Sequence, residues 1–147
     1  MTIDRRTYKT RAVLALIFSA AIPAAACSEA LRGTFVSPGM SMVVQFDQCE
    51  GSQDTTCGTL VWAWAQEDEL SVPFGTLIAP ALRQTDTGWE GHLIDPDSGR
   101  TFRGTVVMTG RDELLLRGCA GPFCTTERWY SLASIQTVIE QLRRRGG

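Results

Sequence analysis

Hydrophobic and polar positions alternate along much of the chain after residue 32. The pattern is clearest in residues 42–47, where Met42, Val44 and Phe46 occupy every second position. A period of two is typical of a β-strand with one buried face. About eight such short segments, separated by turn-forming residues, predict an all-β domain that is either a barrel or a sandwich.

Two segments predict which side chains share a face. Residues 58–65 are short and rich in aromatic and β-branched side chains, which favours a strand with Leu60, Trp62 and Trp64 on one face. In residues 101–108 the shared face consists of Phe102, Gly104, Val106 and Met108. These faces are candidates for the interior of the domain.

The clearest turn signal is the sequence Asp-Pro-Asp-Ser-Gly at residues 95–99. Proline second and glycine last suit a tight turn between antiparallel strands, which gives Asp95 and Gly99 structural roles. Asp95 and Asp97 also suggest a carboxylate pair or a weak calcium site. The turn interpretation is preferred, because this segment alone supplies too few oxygen ligands for calcium.

Closing the sheet removes exposed strand edges, so a small antiparallel up-and-down barrel is favoured for a chain with so little predicted helix. One short helix is predicted in residues 133–147, with Ser134 as its N-cap. Its apolar positions, at helical spacing, are Ile135, Val138, Ile139 and Leu142. A basic tail follows, and disorder beyond Leu142 is the alternative.

Residues 1–26 differ from the rest of the chain. A basic start, a short apolar run and a small-residue end at Ala24 to Ala26 are the three parts of a secretory signal peptide with a helical centre. A buried N-terminal helix or an uncleaved anchor is the alternative. Export to the periplasm is therefore predicted, with residues 27–132 as the barrel domain. Cys27 follows the small residues directly. The alternative to a soluble periplasmic protein is therefore a mature protein that begins at Cys27 and is anchored to a membrane by a lipid on this residue.

The cysteines support export. The chain has five cysteines, and four remain if Cys27 is lipidated or lies in a free terminus. An even number of cysteines in a small exported domain indicates disulfides, and three pairings of these four are conceivable. The local pairs Cys49–Cys57 and Cys119–Cys124 are preferred because each brackets turn-forming residues. A zinc site is disfavoured, because neither spacing is C-x-x-C and His92 is the only histidine.

Charge narrows the class of partner. Removing residues 1–26 changes the formal net charge from −2 to −5, because that segment holds four basic residues and one acidic residue. The one basic run in the remaining sequence is Arg143 to Arg145. Nucleic acid is therefore not expected as a partner, and a membrane is expected only through a lipid anchor.

Several motifs resemble a known bacterial family, the domain of unknown function 2147 family. They are Gly33-Thr34-Phe35, Cys49 followed by the sequence CGTLVW at residues 57–62, the block WEGHLIDPDSGRTF at residues 89–102, LLLRG at residues 114–118, and Trp129. The resemblance covers residues 31 to 132. It implies a lipocalin-like barrel at the cell envelope and no established activity.

No catalytic constellation is present in the sequence. Nucleophilic catalysis needs a nucleophile, a base and an orienting group, and no nucleophile elbow or phosphate-binding glycine loop occurs. We therefore expect no catalytic residue, cofactor or metal. Arg117 is expected to be a structural cation that pairs with Asp95 or covers an aromatic face. The resemblance to lipocalins implies that this aromatic residue is Phe35.

The aromatic residues remain as candidates for binding. The candidate cavity residues are Leu60, Trp62, Trp64, Trp89, Phe102 and Trp129. The alternative is that they fill a dry core. The leading hypothesis is thus a non-enzymatic module that binds a small, mostly apolar envelope molecule. An envelope structural or assembly protein is the second hypothesis, and a hydrolase based on Asp95 and Asp97 is the third.

Overall fold

The structure, a computed structural model, describes residues 30–66 and 68–146. In these residues the strands are all antiparallel and pair in sequence order, and the last strand pairs with the first to close a barrel. The elements are β1 (Gly33–Val36), a 3₁₀ turn (Pro38–Met40), β2 (Met42–Gln48), β3 (Thr55–Ala63), β4 (Leu77–Thr85), β5 (Gly88–Ile94), β6 (Thr101–Gly110), β7 (Glu113–Ala120), β8 (Phe123–Ser131) and α1 (Leu132–Arg145).

The predicted up-and-down barrel of about eight strands with one C-terminal helix is confirmed for the described part of the chain. The predicted signal segment, residues 1–26, and Cys27 lie outside the described residues. No helix in the described ranges is long and apolar enough to cross a bilayer.

One half of the barrel interior is filled by apolar side chains. Six of the residues that fill it are Leu31, Phe35, Leu82, Trp89, Val106 and Leu114, each 7% exposed or less. The rings of Phe35 and Phe46 meet edge to face with centroids 6.1 Å apart. We call the region of these six residues the filled half, and burial of their side chains stabilises the barrel.

A β-bulge between β2 and β3 changes which side chains of β3 point inward. Val44 lies opposite Leu60, whereas Val43 lies opposite Trp62, so Val61 is an extra residue. The buried positions of β3 are Thr56, Gly58 and Leu60 before the bulge and Ala63 after it. The prediction that Trp62 shares a face with Leu60 is therefore wrong: Leu60 is fully buried and Trp62 is 40% exposed.

Both predicted disulfides are present. Cys49, directly after β2, and Cys57, near the start of β3, have Cα atoms 4.9 Å apart, so their bridge closes the connection between these two strands. Cys119 and Cys124 face each other directly across the β7–β8 hairpin, with Cα atoms 4.1 Å apart. Each bridge closes a short loop in the unfolded chain and lowers its entropy, which stabilises the barrel.

The C-terminal helix begins earlier than predicted. Its N-cap is Ser131, whose Oγ accepts a hydrogen bond from Ser134 N at 3.1 Å and donates one to Asp112 Oδ1 at 2.8 Å. Ser134 is thus the residue that donates to the cap, and its prediction as N-cap is wrong. Val138, Ile139 and Leu142 are between 40% and 62% exposed, so this part of the apolar stripe does not pack on the barrel.

Candidate functional site

The other half of the barrel interior contains a cavity of about 610 Å³. Its apolar wall comes from six strands, β2 and β4 to β8. The wall includes Val44, Phe46, Leu93, Phe102, Leu116 and Trp129. A volume of this size lies in the range of small-molecule sites in proteins.

The cavity opens at one end of the barrel. Its exposed lining residues come from the β5–β6 turn and the β7–β8 hairpin. We call these residues the mouth; they are Ser98, Arg100, Thr101, Ala120, Phe123 and Thr125. The six side chains listed for the filled half do not line the cavity, and Phe46, which packs on Phe35 and also lines the cavity, lies between the two regions. The barrel is therefore a cup with one packed end and one open end.

Small residues on the inner wall make room for the cavity's aromatic lining. Gly104 and Gly118 lie directly opposite each other on β6 and β7. A Cβ atom at Gly118 would lie 2.5 Å from Phe102 Cε2, so the ring of Phe102 rests directly on the backbone there. The glycine lets this ring lie against the wall, which leaves the centre of the cup open.

The β3–β4 connection is tied to the β5–β6 turn beside the mouth. Ser71 N donates a hydrogen bond to Pro96 O at 2.8 Å, and Ser71 Oγ donates to Asp97 O. The half-buried Leu70, Val72 and Phe74 of this connection pack against the core. The entrance to the cavity is therefore on the opposite side, between the β5–β6 turn and the β7–β8 hairpin.

The cavity lining contains two carboxylates, Glu127 and Asp95, and that of Asp95 is hydrogen-bonded within the β5–β6 turn. Glu127 lies opposite Leu116, and its Oε2 accepts a hydrogen bond from Trp129 Nε1 at 3.1 Å. The described part of the chain has two ion pairs, Arg32–Asp47 and Arg128–Glu113, and neither involves Glu127. This carboxylate can therefore accept a hydrogen bond from a donor group inside the cup.

The predicted cavity residues separate into three groups. Phe102 and Trp129 line the cavity. Leu60 and Trp89 are buried in the core away from it. Trp62 and Trp64 lie outside the barrel, where their rings meet edge to face with centroids 6.2 Å apart. Trp64 is 78% exposed, because it follows the bulged end of β3.

Of the residues expected to be structural, Asp95 and Gly99 hold the β5–β6 turn, whereas Arg117 and Phe35 do not meet. The Asp95 carboxylate accepts hydrogen bonds from Asp97 N and Ser98 Oγ, and Gly99, with φ of 68°, donates from its N to Asp95 O at 2.7 Å. Arg117 is exposed on the outer face of β7 and Phe35 is in the interior, so the expected packing between them is wrong. Arg117 forms no ion pair with Asp95.

Sequence reasoning missed several cavity residues, among them Leu116 and Glu127. The available signal was the alternation of β8, because Thr125, Glu127 and Trp129 share one face. No group of three or more His, Cys, Asp or Glu residues in the described ranges is placed to hold a metal ion.

Comparison with known proteins identifies the family of the chain. No curated protein and no solved structure matches the chain significantly. A family model described as an uncharacterised protein conserved in bacteria (DUF2147) matches residues 33–131, which comprise the whole barrel from β1 to β8. The chain therefore belongs to the bacterial DUF2147 family.

Proposed function

We propose that the barrel is a binding module for a small, mostly apolar molecule of the bacterial envelope, without catalytic activity. The observation that carries the proposal is the cavity of about 610 Å³, apolar along its wall and open at one end. Burial of apolar ligand surface there contributes roughly 25 cal/mol per Å². The two disulfides support a location in an oxidising compartment, and we place the protein in the periplasm.

Exposed apolar side chains support the same assignment. In an up-and-down barrel alternate connections lie at the same end, so the β1–β2, β3–β4 and β7–β8 connections lie at the end that contains the β5–β6 turn. Met40, Trp64, Leu77 and Phe123, each at least 42% exposed, stand in or beside these connections. Phe123 stands at the mouth itself, and Met40, Trp64 and Leu77 make the rest of this end of the barrel partly apolar.

Glu127 narrows the chemistry of the ligand. A carboxylate accepts hydrogen bonds and donates none when ionised. A ligand whose apolar body fills the cup and whose polar group is an amine, an amide or a hydroxyl would satisfy it. We therefore assign an amphiphile with a hydrogen-bond donor as the ligand.

Blocking the mouth tests this function. The neutral fluorophore phenylnaphthylamine has two apolar ring systems and one N–H donor, and we expect its emission to rise on binding. Thr125 faces the cavity, opposite Gly118, whereas Thr126 faces outward, opposite Arg117. Thr125→Trp should weaken binding at least tenfold, because the indole occupies the entrance, and the matched control Thr126→Trp should bind as the native protein does.

Fluorescence titration of the three proteins measures the effect. Circular dichroism spectra should be the same for all three, because both threonines are exposed. Equal affinities for the Thr125→Trp and Thr126→Trp variants, or no binding by the native protein, would contradict the proposed function.

A further inference from the structure

The outer wall of the barrel carries a second, chemically different depression. It spans the adjacent strands β4 to β7 and has a volume of about 480 Å³. Its charged and titratable lining residues are Arg83, Glu90, His92, Arg103 and Arg117. All five are exposed, and we call this surface the arginine groove.

Strand register places these side chains next to one another. Arg83 lies opposite Glu90, and Glu90 lies opposite Thr105, which in turn lies opposite Arg117. His92 lies opposite Arg103 on the next rung. Arg103 and Arg117 are therefore diagonal neighbours on β6 and β7, a spacing at which long side chains reach one another.

The positive charge of the arginine groove is not compensated within the described part of the protein. Its three arginines form no ion pair with any described residue, because the two ion pairs in the described ranges are Arg32–Asp47 and Arg128–Glu113. Glu90 is the one carboxylate in the groove lining. The groove thus has an excess of positive charge on a chain whose formal net charge is −2. Neighbouring like charges on a sheet repel, and a bound anion would relieve this repulsion.

The type of anion follows from the geometry of guanidinium groups. A guanidinium presents a planar fork of donors that matches the oxygens of a phosphoryl group or carboxylate. A phosphoryl group offers three acceptor oxygens and close to two negative charges, so it can bind two arginines at once. The floor of the groove includes the backbone at Gly91 and Gly104, whose Cβ positions point inward, and the volume of about 480 Å³ above it has room for such a group.

We propose that the arginine groove binds a phosphoryl-bearing ligand, either a soluble phosphate compound or a phospholipid headgroup, independently of the interior cavity. Arg103 and Arg117 hold the phosphoryl oxygens, and Arg83 adds a third donor group at the edge. The sites lie on opposite faces of the β6–β7 wall, because Gly118 and Phe102 line the cavity whereas Arg103 and Arg117 point outward.

Calorimetric titration with inorganic pyrophosphate at low ionic strength tests this site. The test variant is the double substitution Arg103→Gln and Arg117→Gln. Its control, Arg143→Gln with Arg144→Gln, removes the same charge from the last turn of α1. We expect binding by the native and control proteins and at least tenfold weaker binding by the groove variant.

Vesicles identify the source of the phosphoryl group. Co-sedimentation with phosphatidylcholine vesicles that contain phosphatidic acid, whose headgroup is a phosphate monoester, would support a lipid headgroup if it is lost in the groove variant alone. Pyrophosphate binding without co-sedimentation would support a soluble phosphate compound. The proposal is overturned if the native protein does not bind pyrophosphate, or if the groove and control variants bind it equally. Phenylnaphthylamine binding should stay unchanged in the groove variant, which separates this proposal from the cavity function.

Discussion

Replacing Phe35 by alanine should lower the free energy of unfolding by about 3–5 kcal/mol, the range for a large aromatic side chain removed from a packed core. Phe35 is 1% exposed and its ring packs edge to face on Phe46. It lies on the short strand β1, which closes the barrel by pairing with β2 and β8. Removing the ring leaves a void where the first and last strands meet.

Urea unfolding followed by circular dichroism measures this change, with Phe123→Ala as the matched control. Phe123 is 81% exposed at the mouth, so its truncation should change stability by less than roughly 0.5 kcal/mol. A loss below about 1 kcal/mol for Phe35→Ala would contradict the division of the barrel into a filled half and an open half.

Replacing Gly104 by valine should lower the free energy of unfolding by roughly 3 kcal/mol, the upper part of the range for overpacked cores. A Cβ atom at this position would lie 2.2 Å from Leu93 Cδ1 and 2.5 Å from Leu93 Cγ. Leu93 is 5% exposed and lines the cavity, so the added side chain must push it into the cup. Ligand binding should therefore weaken together with stability.

Gly110→Ala is the control for this substitution. Gly110 ends the same strand, and a Cβ atom there would meet nothing within 4 Å. Thermal unfolding of the two variants should show a large drop in Tm for Gly104→Val and almost none for Gly110→Ala. Equal Tm values would mean that the space beside Leu93 is not closed to a side chain.

Local sequence signals predict the strands, the Asp95–Gly99 turn, the disulfides and the C-terminal helix. Each of these depends on neighbouring residues: a period of two, turn chemistry at fixed positions, and cysteines that bracket turns. Closure of the sheet follows from the need to pair strand edges.

The exposure of Trp62 could not be predicted in this way. The alternation of β3 is regular in the sequence, but one extra residue at Val61 reverses the direction of Trp62 relative to Leu60. A bulge depends on how β2 and β3 match across the pair, which periodicity in a single strand does not report. Two of the three residues of the predicted face, Trp62 and Trp64, therefore lie outside the barrel.

The arginine groove was missed for a related reason. Its three arginines are widely spaced in the sequence, at positions 83, 103 and 117, whereas the charge run visible in the sequence is Arg143 to Arg145. Only the register of four strands brings them to one face. Glu127, in the middle of β8, was overlooked because an acidic residue in a strand normally indicates a solvent-facing position.

The central claim is that apolar ligands bind inside the cup and not on the exposed tryptophans outside it. Contact quenching of tryptophan fluorescence by a brominated long-chain alcohol tests it most directly, because bromine quenches at close range. Trp129 lines the cavity, whereas Trp62 and Trp64 lie outside the barrel. Quenching should persist in the variant Trp62→Phe with Trp64→Phe and should largely disappear in Trp129→Phe. Quenching that persists in Trp129→Phe and disappears in the double variant would contradict the claim.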